Sequence, residues 1–307
     1  MIFEKTNRRK WTWTDYRLEQ GNRVMRTANE LRDYWPLTLR QIYYRLVAAG
    51  YIVNSRSKYN DLSVLIKQMR LDDWLPWEVL EDRVRRVSDK RGWGDHREFL
   101  EAHIDWFLED YERCYVQDQE RYVELWCEKD ALSQVFEKVA YPYCIRAVTC
   151  RGYQSITFLD DFRRRAQATM DRGQTPVILY FGDLDPSGVQ MLEATKQTLE
   201  DEMNLWGVEY NRVALTLEQV AAFNLPHDPT AVKTTDKRYK SYVRRFGDIA
   251  VELDALHPKT LRELAVEAIE SQFDMDLFKE QMEVEQMERQ RLADIKQRVM
   301  AELRKFD

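Results

Sequence analysis

From residue 122 onward, short apolar runs alternate with helix-length amphipathic stretches, and this alternation constrains the fold more than any other feature of the chain. Residues 123–127, 143–149, 176–181 and 209–215 are apolar runs of strand length. Between them, residues 128–139, 154–171 and 187–205 carry helical patterns, and a short helix over 216–224 leads into Asn224-Leu225-Pro226. Strands separated by helices predict a parallel α/β sheet, here with four strands.

The preceding 120 residues read differently. A helix is predicted over 12–35, with Trp11, Trp13, Val24 and Leu31 as core contacts. A second follows over 37–50, between Thr38 as N-cap and Gly50 as stop. A third covers 59–71, where Leu62, Leu65, Ile66 and Met69 hold helical spacing. An extended piece at 77–80 completes a pattern similar to a helix-turn-helix or winged-helix module. Residues 83–120 read as a charged, aromatic helical connector. Residues 227–247 read as a basic loop containing Lys233, Lys237, Arg238, Lys240, Arg244 and Arg245. Residues 274–306 form one long charged helix, either packed on its own domain or supporting a dimer. The expected division is a winged-helix part at 1–120, an α/β part at 121–273 and the long helix at 274–307.

Composition narrows the function classes. The 307 residues are 44% hydrophobic and 33% charged, with no apolar run of about 18 residues, so no membrane span is expected. The N-terminus lacks an apolar secretory core. The four cysteines form no Cys-x-x-Cys and there are only four histidines, which disfavours a zinc site. The expectation is a cytoplasmic chain with reduced cysteines in its core. Net charge is −6, but residues 1–100 hold 20 Lys+Arg against 14 Asp+Glu. A basic first third and an acidic remainder fit local contact with DNA, or ordinary surface scatter.

Three acids stand where apolar runs end. Glu128 follows the first run, and Asp183 and Asp185 follow the third in Gly182-Asp183-Leu184-Asp185-Pro186-Ser187-Gly188. Functional groups of a parallel sheet gather at the carboxyl ends of its strands. Extended residues two apart point the same way, so both aspartates are expected to face one cation. Mg2+ takes oxygen ligands and commonly combines one or two carboxylates with substrate phosphate. The alternative is that the aspartates cap the next helix.

In the second helix, Leu39, Ile42, Tyr43, Leu46 and Val47 form a buried stripe. Tyr44 lies roughly 130° from it at 100° per residue, on the face it shares with Arg40 four residues earlier. Tyr43 is therefore expected in the core and Tyr44 at the surface beside a guanidinium. A tyrosine hydroxyl can attack a phosphodiester, and an arginine can hold the phosphate through two donors. An ordinary surface tyrosine beside an arginine fits the same residues.

Taken together, these motifs resemble the A subunit of topoisomerase VI and its relative, the meiotic double-strand-break transesterase. The similarity rests on Arg40-Gln41-Ile42-Tyr43-Tyr44, Glu128 in its Val-Glu-Leu-Trp-Cys-Glu-Lys context, Asp183-Leu184-Asp185, Cys150-Arg151-Gly152-Tyr153 and Glu252-Leu253-Asp254-Ala255-Leu256. It spans about residues 37–270 and is nearest the compact, stand-alone Mini-A class of bacterial and archaeal mobile elements. The resemblance implies a catabolite-activator-like winged helix joined to a TOPRIM domain. It implies Tyr44 as nucleophile, Arg40 as its support, and Glu128, Asp183 and Asp185 as ligands of Mg2+, with Mn2+ able to substitute. It also implies a homodimer in which the tyrosine of one copy meets the acids of the other, making staggered breaks in nucleoid DNA. No ATP-binding loop is seen in the chain, and an ATPase B-type subunit is not evident. Arg83, Arg85, Arg86, Arg151, Lys237 and Arg238 are candidate DNA contacts. The alternatives are a TOPRIM endonuclease using activated water and a non-cleaving DNA-binding or assembly factor.

Overall fold

A computed structural model describes residues 11–80, 92–96, 99, 103, 111–150, 152, 154–226 and 239–303. Its centre is a parallel sheet of four strands: β1 (Arg121–Cys127), β2 (Arg146–Thr149), β3 (Thr175–Phe181) and β4 (Glu209–Ala214), in the order β2-β1-β3-β4. The predicted α/β class and four-stranded parallel sheet are therefore present. β1 and β3 lie in the middle with both faces covered, which is why each reads as a continuous apolar run. Their register pairs Cys127 with Phe181, so the two strands end side by side.

Side chains alternate across the sheet with the strand period of two. Val123, Leu125, Cys127, Val177, Leu179 and Phe181 face one core. Trp126, Ile178 and Tyr180 face the other. Helix α5 (Ile156–Met170) covers the second face through Leu159, Phe162 and Ala166. Helices α4 (Ser133–Ala140) and α9 (Pro258–Glu270) cover the first face through Phe136, Val139, Leu261, Ala265 and Ile269. Helix α6 (Pro186–Gln197) follows β3, and α7 (Leu217–Ala222) follows β4 behind a Thr216–Gln219 capping box.

Three helices precede the sheet: α1 (Asp15–Glu30), α2 (Leu39–Ala48) and α3 (Arg56–Leu71), each opened by a Thr or Ser cap. Thr38 caps α2 as expected, and Gly50 follows it with φ +71°, the left-handed region that favours glycine. Leu62, Leu65, Ile66 and Met69 are buried, and their core is continuous with the first face of the sheet. The expected extended piece at 77–80 is instead a 3-10 turn, Trp77–Val79, closed by Val79 N–H donating to Pro76 O. One parallel bridge, Leu37 to Leu80, is all that remains of it.

Several other boundaries differ from expectation. No helix starts at Glu128: a 3-10 turn at Asp130–Leu132 comes before α4. The second run forms a strand only from Arg146, because Tyr141–Tyr143 is a 3-10 turn and Cys144 is left-handed. The helix after β3 changes to a π turn at Thr198–Glu202. In the expected basic loop, residues 227–238 lie outside the described residues, and the rest holds helix α8 (Tyr239–Phe246). Most of the expected connector over 83–120 also lies outside them. The long helix is present as α10 (Met275–Leu303) and packs on its own chain through Phe278, Gln281 and Glu285. Arg113 clamps it, with Nε 2.7 Å from Gln281 Oε1 and Nη1 3.0 Å from Glu288 Oε1. No helix among the described residues is long and apolar enough to cross a membrane.

Candidate active site

The acids lie at the shared carboxyl end of β1 and β3. Glu128 N–H donates to Phe181 O at 2.9 Å, which carries the β1–β3 pairing one residue past the strand. Glu128 Oε2 then accepts the Asp183 N–H at 3.0 Å. A methyl group at Gly182 or Gly188 would stand 2.8 or 2.9 Å from that same oxygen, so the two glycines form the cradle for the Glu128 carboxylate. Asp183 Oδ1 accepts the Leu253 N–H at 2.7 Å and lies 3.2 Å from Lys129 Nζ. Burial, and then the charge of Asp183, raises the Glu128 pKa above the usual carboxylate range. Burial also raises Asp183, against the pull of Lys129.

Asp185 takes the capping alternative through one of its oxygens. Its Oδ1 accepts the Gly188 N–H at 2.6 Å and caps α6. The unpaired N–H groups that open a helix compete for this carboxylate, so the capping alternative describes Asp185 and not Asp183. Among the described residues, no three His, Cys, Asp or Glu side chains stand as a ready metal-ligand group.

Residues to which the sequence reading gave no role complete the site. Lys129 is 10% exposed and contacts Asp183, Glu252 at 3.2 Å and Asp254 at 2.8 Å. Burial opposes its charge, but Asp254, Asp183 and Glu252 outweigh that and raise its pKa. Asp254 is 1% exposed and its Oδ1 has no hydrogen-bond partner. Arg212, on β4, donates to the carbonyls of Leu215, Gly188, Gly182 and Asp183 and so ties the acid-bearing loop to the sheet. A lysine directly after Glu128 and the Glu252-Leu253-Asp254 stretch are the only sequence signals for them. Neither has a spacing that points to a site.

Helix α2 docks on the turn that holds Glu252 and Asp254. Arg40 Nη1 lies 3.0 Å from Glu252 Oε2, Arg45 donates to Ala255 O, and the charge of Glu252 acts on the Tyr44 hydroxyl. Tyr43 is core as expected, with its hydroxyl accepting the Ser55 N–H at 2.7 Å. Tyr44 is not on the surface: it is only 9% exposed, because the turn Leu253–Ala255 covers the face that helical periodicity leaves to solvent. Burial first, then Glu252, raises its pKa, while Lys129 and Arg40 pull it down. Arg40 is paired to Glu252 and, at 3.9 Å, to Asp254. The candidate DNA contacts Arg83, Arg85, Arg86, Arg151, Lys237 and Arg238 lie outside the described residues.

The resulting network runs Tyr44–Glu252–Lys129–Asp183–Glu128, with Arg40 on its first carboxylate. It joins a phenol, two cations and four acids within one chain, and one buried acid oxygen, Asp254 Oδ1, has no hydrogen-bond partner. No family model matches the chain, and no curated protein matches it significantly.

Proposed function

We propose that the chain is a Mg2+-dependent DNA transesterase of the topoisomerase VI A-subunit type, acting through Tyr44 as a homodimer. The observation that carries this reading is convergence. Tyr44 and Arg40 come from the second helix, yet they join the acids of β1 and β3 through Glu252 and Lys129. A chain built only to bind DNA has no need to bring a phenol and buried acids together.

The donors suit a hard divalent cation. They are carboxylate oxygens, two of them on partly buried, mutually repelling side chains, with Glu128 in a glycine-lined cradle. Glu128 and Asp183 would hold the ion, with water and substrate phosphate completing its shell. Bound there, Mg2+ supplies charge neutralisation at the scissile phosphate and the leaving oxygen.

The chain's own residues do the rest. Tyr44 Oη forms a bond to phosphorus as the bond to the leaving sugar oxygen breaks. The hydroxyl proton passes to solvent and a solvent proton completes the leaving hydroxyl. Arg40 exchanges Glu252 for the phosphate and stabilises the charge that develops there. One tyrosine cuts one strand, so a double-strand break requires two copies. Engagement of a partner's acids requires α2 to leave the Glu252–Ala255 turn.

The burial of Tyr44 favours a second reading, in which the acids direct hydrolysis by water and Tyr44 is structural. One experiment separates the two. Supercoiled and branched DNA is incubated with the protein and Mg2+ or Mn2+, and adducts are trapped with detergent. Transesterification predicts covalent protein–DNA adducts that Tyr44→Phe abolishes. Free ends from both wild type and Tyr44→Phe would establish hydrolysis instead.

A further inference from the structure

Helix α8 is tied to the backbone of the acid loop and turns outward a basic face that has no acidic partner among the described residues. Tyr242 is its buried anchor. The hydroxyl lies 2.7 Å from Ile249 O and 3.0 Å from Leu184 O, and donates between them. Leu184 is the residue between Asp183 and Asp185, and it is also bridged to Val251 by two backbone hydrogen bonds, of 2.9 and 3.0 Å. The helix is thus fixed directly to the loop that bears the aspartates.

On the opposite side stand Lys240 and Arg244, one turn apart, with Arg245 flanking them over the Phe246 ring. All three are exposed, and none has an acidic partner among the described residues. Helix stability does not account for them as a group. Arg244 and Arg245 in the last turn complement the helix dipole, but Lys240 in the first turn opposes it. A solvated face has no need of a single sign either: the exposed helical ion pairs elsewhere in the chain, such as Lys259–Glu263 and Arg164–Asp160, mix both.

We infer that α8 is a phosphate clamp for the backbone of double-stranded DNA, with Lys240, Arg244 and Arg245 each meeting a backbone phosphate next to the acid site. The identity of the polyanion rests on the proposed function; the clamp itself rests on the anchored cations. The complementarity is one of position. Lys129 and Arg40 are already paired to Asp183, Glu252 and Asp254 within the site, so positive charge to retain the neighbouring phosphates is supplied by α8. The Tyr242 anchor sets the distance between clamp and acids, so it also sets which phosphate is presented.

The test measures binding without cleavage. Fluorescence anisotropy of a short labelled duplex is followed in EDTA across a salt series. The triple variant Lys240→Gln, Arg244→Gln, Arg245→Gln is expected to lose about tenfold in affinity at low salt. Its slope of log affinity against log salt should fall by about 0.9 for each phosphate that is no longer neutralised. The charge-keeping variant Lys240→Arg, Arg244→Lys, Arg245→Lys should restore both. Arg172→Gln, at the far end of the sheet, should change neither. Circular dichroism and thermal melting establish that each variant is folded. Equal affinity and slope for wild type and the triple variant would overturn the clamp while leaving the proposed function standing, as would an equal loss in Arg172→Gln. A wild type that does not bind duplex DNA at all would instead remove the substrate on which the proposed function depends.

Discussion

Glu124 and Glu128 lie four residues apart on and just beyond one strand, and their surroundings are opposite. Glu124 is fully buried and fully partnered: Arg165 reaches its two oxygens at 2.7 and 3.1 Å, Trp126 Nε1 donates at 2.9 Å, and the Tyr122 hydroxyl adds a fourth bond. Glu128 accepts one backbone N–H, faces Asp183, and lies in a network where Asp254 keeps an unpartnered oxygen. Buried polar groups in folded proteins are satisfied. The first glutamate obeys that rule within the chain; the second is only partly buried and is held by a single backbone N–H. The difference separates an acid tied to its own chain through both oxygens from one held by a single backbone N–H.

The largest expected effect falls on the satisfied side. Arg165→Ala leaves Glu124 charged, buried and unpaired, and should cost about 3–5 kcal/mol in denaturant unfolding. Glu128→Gln should cost far less without metal; an equal loss would erase the distinction between the two glutamates. Gly188→Ala comes next. Its methyl would crowd the Glu128 carboxylate and the Asp183 carbonyl, so a loss of about 1–3 kcal/mol is expected together with weakened Mg2+ response.

Mg2+ itself sharpens the contrast. At ten times its Kd, the ion should stabilise wild type by about 1.4 kcal/mol, read as a rise in melting temperature. Glu128→Gln and Asp183→Asn should lose that rise, and Glu124→Gln, if folded, should keep it. The smallest effect is in pH. Folding raises the pKa of Glu128 and Asp183, so both favour the protonated form in the folded chain. Their stabilising contribution is present below the unfolded values and is lost as pH rises through the raised folded values. In EDTA, the stability of Glu128→Gln relative to wild type should therefore increase with pH across that window. A difference that stays flat from pH 4 to 8 would contradict the raised Glu128 carboxyl.

Much of this is legible in the sequence, and the reason is local. Alternation of apolar runs and helical stretches specifies the parallel sheet, because strand and helix periods are properties of short segments. The same reading puts Glu128 and Asp183 at strand ends, Thr38 at a helix cap and Tyr43 in the core. What it misplaces lies where distant segments meet. Periodicity assigns Tyr44 to solvent because a helix's own pattern says nothing about a turn far along the chain that covers it. Arg40 looks free in the sequence for the same reason, and the fold brings Glu252 and Asp254 beside it. Asp185 takes the capping alternative that the sequence leaves open, because the N–H groups of α6 compete for it. Lys129, Asp254 and Arg212 carry no spacing signal at all; only the closing of the sheet and the return of residues 250–255 across it give them partners. Local propensity determined the elements of this protein, and long-range packing decided which charges meet.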